Sequence, residues 1–153
     1  MKKNLYILMA LMAVVFGFTA CSDDDEATGT QNPETEVAGT YTGSWHQVLT
    51  NSSNEVQGEE FADGTVVLAP NRQWVVDVTL NVAAPVITTE MKDVANCSGN
   101  SESGYAMVNY NGATLGNYSC TVKDGAMTLI FVTTVKDGRK TYTATNTFTG
   151  TLN

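Results

Sequence analysis

Positive charge is scarce in this chain. Eight lysines and arginines face sixteen aspartates and glutamates, for a formal net charge of −8 over 153 residues. Such a balance leaves no clustered basic face and argues against nucleic-acid binding. Histidine occurs once, at His46, which excludes a centre built on two imidazoles. No zinc, haem or nucleotide motif is present. No Gly-x-Ser-x-Gly elbow occurs either; Gly99-Asn100-Ser101-Glu102-Ser103-Gly104 misses it by one position. Glu59, Glu60 and Asp63 cluster beside Phe61, and a charge cluster of this kind reads as a solvated loop edge. No catalytic residue, metal or cofactor is therefore expected, and the chain does not read as an enzyme. A 3.6-residue apolar period is also missing, so helices are not expected to build the domain.

One uncharged hydrophobic run exists. Lys2 and Lys3 precede Leu5–Phe18, fourteen residues without a charge. A membrane span needs about 20 apolar residues, whereas the h-region of a secretory signal needs fewer. Thr19 and Ala20 then lead to Cys21. Small residues before a cysteine resemble the bacterial lipoprotein box, which implies cleavage after residue 20 and acylation of Cys21. The sequence continues Cys21-Ser22-Asp23-Asp24-Asp25-Glu26, which resembles the surface-export signal of Bacteroidetes lipoproteins. That resemblance implies an outer-membrane lipoprotein exposed at the cell surface, with a periplasm-facing one as the alternative. The membrane is then a partner through the N-terminal acyl chains. Residues 21–36 hold little that packs and read as a disordered acidic tether. A single domain is expected over 37–153, carrying ten acidic and six basic residues.

That domain reads as strands. Turn signals recur every eight to thirteen residues between segments rich in Val, Thr, Tyr, Ile and Phe, an antiparallel all-β signature. Trp74, Val76, Val78, Leu80 and Val82 alternate along 73–82. Met127, Leu129, Phe131 and Val135 share a face of 126–135; Tyr142, Ala144 and Phe148 share a face of 139–149. Other strands are expected near 40–49, 65–68, 86–91, 105–110 and 113–122, about eight in all, with long loops at 50–60 and 92–104. Asn111-Gly112, Asp124-Gly125 and Asp137-Gly138 are type I′ hairpin signals, and Lys-Asp-Gly at 123 and 136 reads as one turn chemistry used twice. Eight sequential antiparallel strands favour a closed up-and-down barrel. A two-sheet sandwich is the alternative.

The domain opens Val37-Ala38-Gly39-Thr40-Tyr41-Thr42-Gly43-Ser44-Trp45. This opening resembles the calycin-like or lipocalin-like domains of Bacteroidetes lipoproteins, and Gly43-Ser44-Trp45 fits the Gly-x-Trp of the first lipocalin strand. The resemblance implies a barrel with a possible apolar pocket, and a basic residue, Arg139 or Lys140, stacked on Trp45. Trp45, Trp74, Tyr105 and Tyr110 are the candidate ligand-contacting aromatics, though most aromatics of a small β domain are core. The function expected on these grounds is a surface-anchored binder of a small apolar or amphipathic molecule. The alternative is a non-catalytic interaction protein with a filled core, such as an envelope-complex subunit or an adhesin.

With Cys21 assigned to the lipid, Cys97 and Cys120 remain. An even pair in an exported domain favours a disulfide. Two unrelated thiols, Cys120 in the core and Cys97 in a loop, are the other reading.

Overall fold

A computed structural model describes residues 32–82, 91–109 and 118–153. The signal segment, Cys21, Tyr110 and the Asn111-Gly112 turn lie outside these residues. Eight antiparallel strands close into a ring in sequence order: β1 (Gly39–Thr50), β2 (Val56–Arg72), β3 (Val75–Val82), β4 (Met91–Asn100), β5 (Gly104–Asn109), β6 (Tyr118–Lys123), β7 (Ala126–Asp137) and β8 (Lys140–Leu152). The ring excludes the sandwich. β1 and β8 close it over ten residue pairs, from Tyr41 opposite Leu152 to Thr50 opposite Thr143.

Alternation selects the inner face. Tyr41, Trp45, Val66, Leu68, Val76, Val78, Leu80, Leu129, Phe131 and Phe148 are buried, and polar residues such as Thr128, Thr149 and Lys92 between them are exposed. The apolar face is thus the inner one, whereas a barrel that crosses a membrane carries its apolar band outside.

Closing eight strands requires sharp bending, and glycine supplies it. Gly64, Gly43 and Gly150 lie in register across β2, β1 and β8, on the inward side between Tyr41 and Trp45. A Cβ on Gly43 would collide with the Thr149 carbonyl and come within 2.5 Å of Gly150 Cα. The strands fold over one another along this row, as glycine kinks in barrels allow. Trp45 fills the space left at Gly64: a Cβ there would lie 2.7 Å from the indole Nε1.

One end of the ring carries a short helix, α1 (Pro33–Glu36), which contacts β2 and β4. Its residues were expected in the tether, so the packed domain begins before Val37. Pro33 at the first turn presets the helical φ, and Glu34 and Glu36 suit the positive end of the helix dipole. Tyr41 Oη donates to the Val37 carbonyl at 2.8 Å, tying the helix exit to β1. The buried Glu34 carboxylate accepts the Trp74 backbone N–H at 3.0 Å.

Several boundaries differ from the sequence reading. Residues 92–104 are not a long loop: β4 runs to Asn100 and only 101–103 turn. β2 begins at Val56, so the first loop is also short. β2 runs on through Pro70 to Arg72, so the turn into β3 falls inside the segment 73–82 read as one strand. A register shift between Pro70 and Arg72 absorbs the proline, and Gln73 and Trp74 become the turn. Trp74 is therefore not on the inner face of β3; it is 45% exposed with φ of 66°. A bulky residue is rarely found there. Its backbone is held on both sides, by Glu34 and by Cys97 N–H donating to its carbonyl at 2.8 Å.

The two Lys-Asp-Gly tripeptides also part company. Asp124 and Gly125 both have positive φ, as type I′ requires. At the second, Asp137 pairs with Lys140, so the central residues are Gly138 and Arg139, and only the glycine has positive φ. That is the glycine-first hairpin form, one residue out of register with the first.

Candidate functional site

The interior divides along the barrel axis. At the helix end, Cys97, Met107 and Cys120 point inward from β4, β5 and β6. The expected disulfide is absent and both thiols are free. The physical reason is register: Cys97 and Cys120 each face Met107, so a whole strand separates them. Two strand spacings place their Cα atoms about 10 Å apart, beyond the reach of a disulfide. Cys97 is also in a strand rather than a loop.

Burial controls the ionisation of this end. It raises Cys97 from 9 to about 11, with Glu34 adding. It raises Tyr41 from 10 to about 12, with Cys120 and then Cys97 adding. Cys120 is raised by burial and by Cys97, and Tyr105 by burial, Glu36 and Cys97. These groups are protonated when folded at neutral pH, whereas unfolded thiols ionise near pH 9. The Cys97 contribution is full below pH 9 and is lost as pH rises through about 11; that of Tyr41 is full below pH 10 and is lost through about 12. The Cys97 share is about 2 to 3 kcal/mol. Urea midpoints are expected to fall between pH 8.5 and 11, with a shallower fall in Cys97→Ala. At pH 8, neither Cys97 nor Cys120 is expected to react with Ellman's reagent until the domain unfolds.

Above the cysteines, toward the other end, lies an aromatic layer. Trp45 meets Phe131 edge-on, with ring centroids 5.8 Å apart, and Phe148 at 5.1 Å. All three are at most 1% exposed. Trp45 Nε1 is buried and, among the described residues, has no hydrogen-bond partner. Arg139 and Lys140 do not stack on Trp45. Both are exposed at the β7–β8 turn, and Lys140 lies eight residues along β8 from Phe148, the strand neighbour of Trp45.

The next inward positions away from the helix are polar. Gln47 on β1 faces Asn146 on β8, and Gln47 Nε2 donates to Asn146 Oδ1 at 2.7 Å. Asn146 Nδ2 in turn donates to Thr133 Oγ1 at 3.2 Å and to the Ala144 carbonyl at 3.2 Å. Gln47 is 8% exposed and Asn146 fully buried. Beyond them Leu49, Val135 and Tyr142, all half-buried, continue the inner face of β1, β7 and β8. Asp93, 5% exposed, points inward from β4. This end thus offers an aromatic floor, a buried amide pair and an apolar upper wall; the Trp45 N–H lies against Gly64, one row toward the helix end.

The sequence candidates do not converge there. Trp45 forms the floor; Tyr105 is half-buried against the core at the helix end, and Trp74 sits on the turn beside α1. The polar pair was missed. Its signal is a polar residue interrupting an inward row: Trp45-x-Gln47-x-Leu49 and Ala144-x-Asn146-x-Phe148.

The outer face holds His46, which points away from Trp45. Its ring stacks on Phe61, with centroids 4.3 Å apart and 2° between planes, and its Nε2 lies 3.2 Å from Glu59 Oε2. Glu59 and Phe61 are strand residues of β2, not a loop edge. Among the described residues, no three His, Cys, Asp or Glu side chains group as a metal site.

No family model matches the chain, and no curated protein matches it. Among solved structures it is similar to a redesigned β-barrel, at 13% identity and a TM-score of 0.36, covering 79% of this chain and 96% of that one.

Proposed function

We propose that this chain is a lipid-anchored surface protein whose barrel takes up a small amphipathic molecule at the end away from α1. The observation that carries the reading is the buried Gln47–Asn146 amide pair, set in the inward rows between Trp45 and the half-buried Leu49, Val135 and Tyr142. An apolar wall with a few convergent polar groups is the usual make-up of a small-molecule site. Leu49, Val135 and Tyr142 supply the wall; Gln47 and Asn146 supply the polar groups.

The anchor reading rests on Cys21 and the acids behind it, and the fold is compatible with it. The chain enters the domain at Asn32, on the helix end. A lipid at Cys21 then holds that end toward the membrane and leaves the opposite end facing away. Palmitate labelling of Cys21 in the expressing cell, lost in Cys21→Ser, tests the anchor.

Binding is tested with a fluorescent fatty-acid analogue as probe. In Trp74→Phe only Trp45 remains to report. Saturable energy transfer from Trp45 to one probe per chain is expected, and Leu49→Arg or Val135→Arg should weaken it about tenfold or more. Uptake that never saturates, or that ignores both substitutions, would exclude this site. The alternative, an interaction protein working through its outer face, draws support from Phe61. That ring is 67% exposed on a continuous β7–β8–β1–β2 surface, beside His46.

A further inference from the structure

Three sulfur atoms line up at the helix end. Cys97 faces Met107 across β4 and β5, and Met107 faces Cys120 across β5 and β6. All three are inward and nearly sealed, at 1%, 1% and 2% exposure. Directly paired residues have Cβ atoms about 4.5–5.5 Å apart. On the concave inner face of a barrel, side chains from successive strands lean toward one another, which favours approach of the outer two side chains to the one between them. Register forbids their disulfide, and both are free.

We propose that this row is a binding site for one soft monovalent d10 ion, Cu(I) or its redox-inert counterpart Ag(I), held by Cys97 and Cys120 with Met107 as third donor. Thiolate and thioether are the ligands such ions prefer, and this part of the interior offers no imidazole to draw a harder ion. A sealed apolar site also requires overall neutrality. A monovalent ion meets that requirement by displacing one thiol proton: one cysteine binds as thiolate, the other as neutral thiol, and one proton leaves. A divalent ion would need both thiolates, each opposed by burial. The Tyr41 hydroxyl does not compete, since it donates to the Val37 carbonyl.

The test uses the full chain carrying Cys21→Ser, so that residue 21 adds no thiol. It is reduced and titrated with Ag(I) in chloride-free buffer, followed by bound metal, by proton release and by the thiolate-to-metal ultraviolet band. One tightly bound ion per folded chain is expected, with one proton released. Cys97→Ser and Cys120→Ser should each weaken binding about a hundredfold, and Met107→Leu about tenfold. Met107→Leu conserves volume, so it decides the matter if the serine variants do not fold. Absence of saturable binding to the folded chain would overturn the proposal. So would a Met107→Leu variant with unchanged affinity. Neither result bears on the amphiphile site, which shares no residue with this row.

Discussion

Gly43→Val is expected to leave the chain unfolded at room temperature, with a loss of about 4 kcal/mol or more. The side chain would enter where β1 passes over β8. The atoms it meets are the Thr149 carbonyl and Gly150 Cα, both backbone. A side chain in the way can change rotamer, but a paired strand cannot move without breaking its ladder, and here that ladder closes the ring. Gly58→Ala is the matched control. It lies on an inward position of β2, and its new Cβ meets only Leu49 Cδ1, at 3.9 Å. It should cost less than about 1 kcal/mol, as a glycine replacement in a strand with room for it. Urea unfolding of both variants checks the contrast. Equal stabilities would mean that the glycine row is incidental to closure.

How much of this was legible depends on which force shaped each element. β1, β3, β7 and β8 bury one face, so their alternation is written in side chains: Val76, Val78 and Leu80, or Met127, Leu129 and Phe131. β4 carries no such pattern. Its inward residues Asp93, Ala95 and Cys97 are small or polar, and backbone pairing to β3 and β5 holds it in place. Backbone hydrogen bonds leave little trace in sequence. The same applies to residues 56–64 of β2, where Gly58, Glu59, Glu60 and Asp63 read as loop yet pair with β1. Trp74 was misplaced for a different reason. The alternation continues cleanly through it, but the register shift at Pro70 moves the turn onto it, and a tertiary contact from Glu34 fixes its unusual backbone. The candidate site was legible only at its floor. Gln47 and Asn146 matter because β1 and β8 close the ring against each other, ninety-nine positions apart in sequence, and no local pattern reports that contact.

Trp45→Ala should cost about 3 to 5 kcal/mol, since it empties the largest buried side chain from between Phe131 and Phe148. Trp45→Phe separates two roles that the alanine variant merges. Phenylalanine keeps much of the aromatic packing and removes an N–H that has no partner among the described residues. The packing lost is therefore partly offset by relief of an unmet donor, and the net cost should stay below about 2 kcal/mol. If that N–H exists to meet a ligand acceptor, the same change weakens probe binding about tenfold, the value of one hydrogen bond in a buried site. Stability near that of the parent together with lost affinity would assign the indole nitrogen to recognition. A Trp45→Phe barrel that binds as before would leave the nitrogen without a role in binding, with the tryptophan kept for its volume over Gly64 alone.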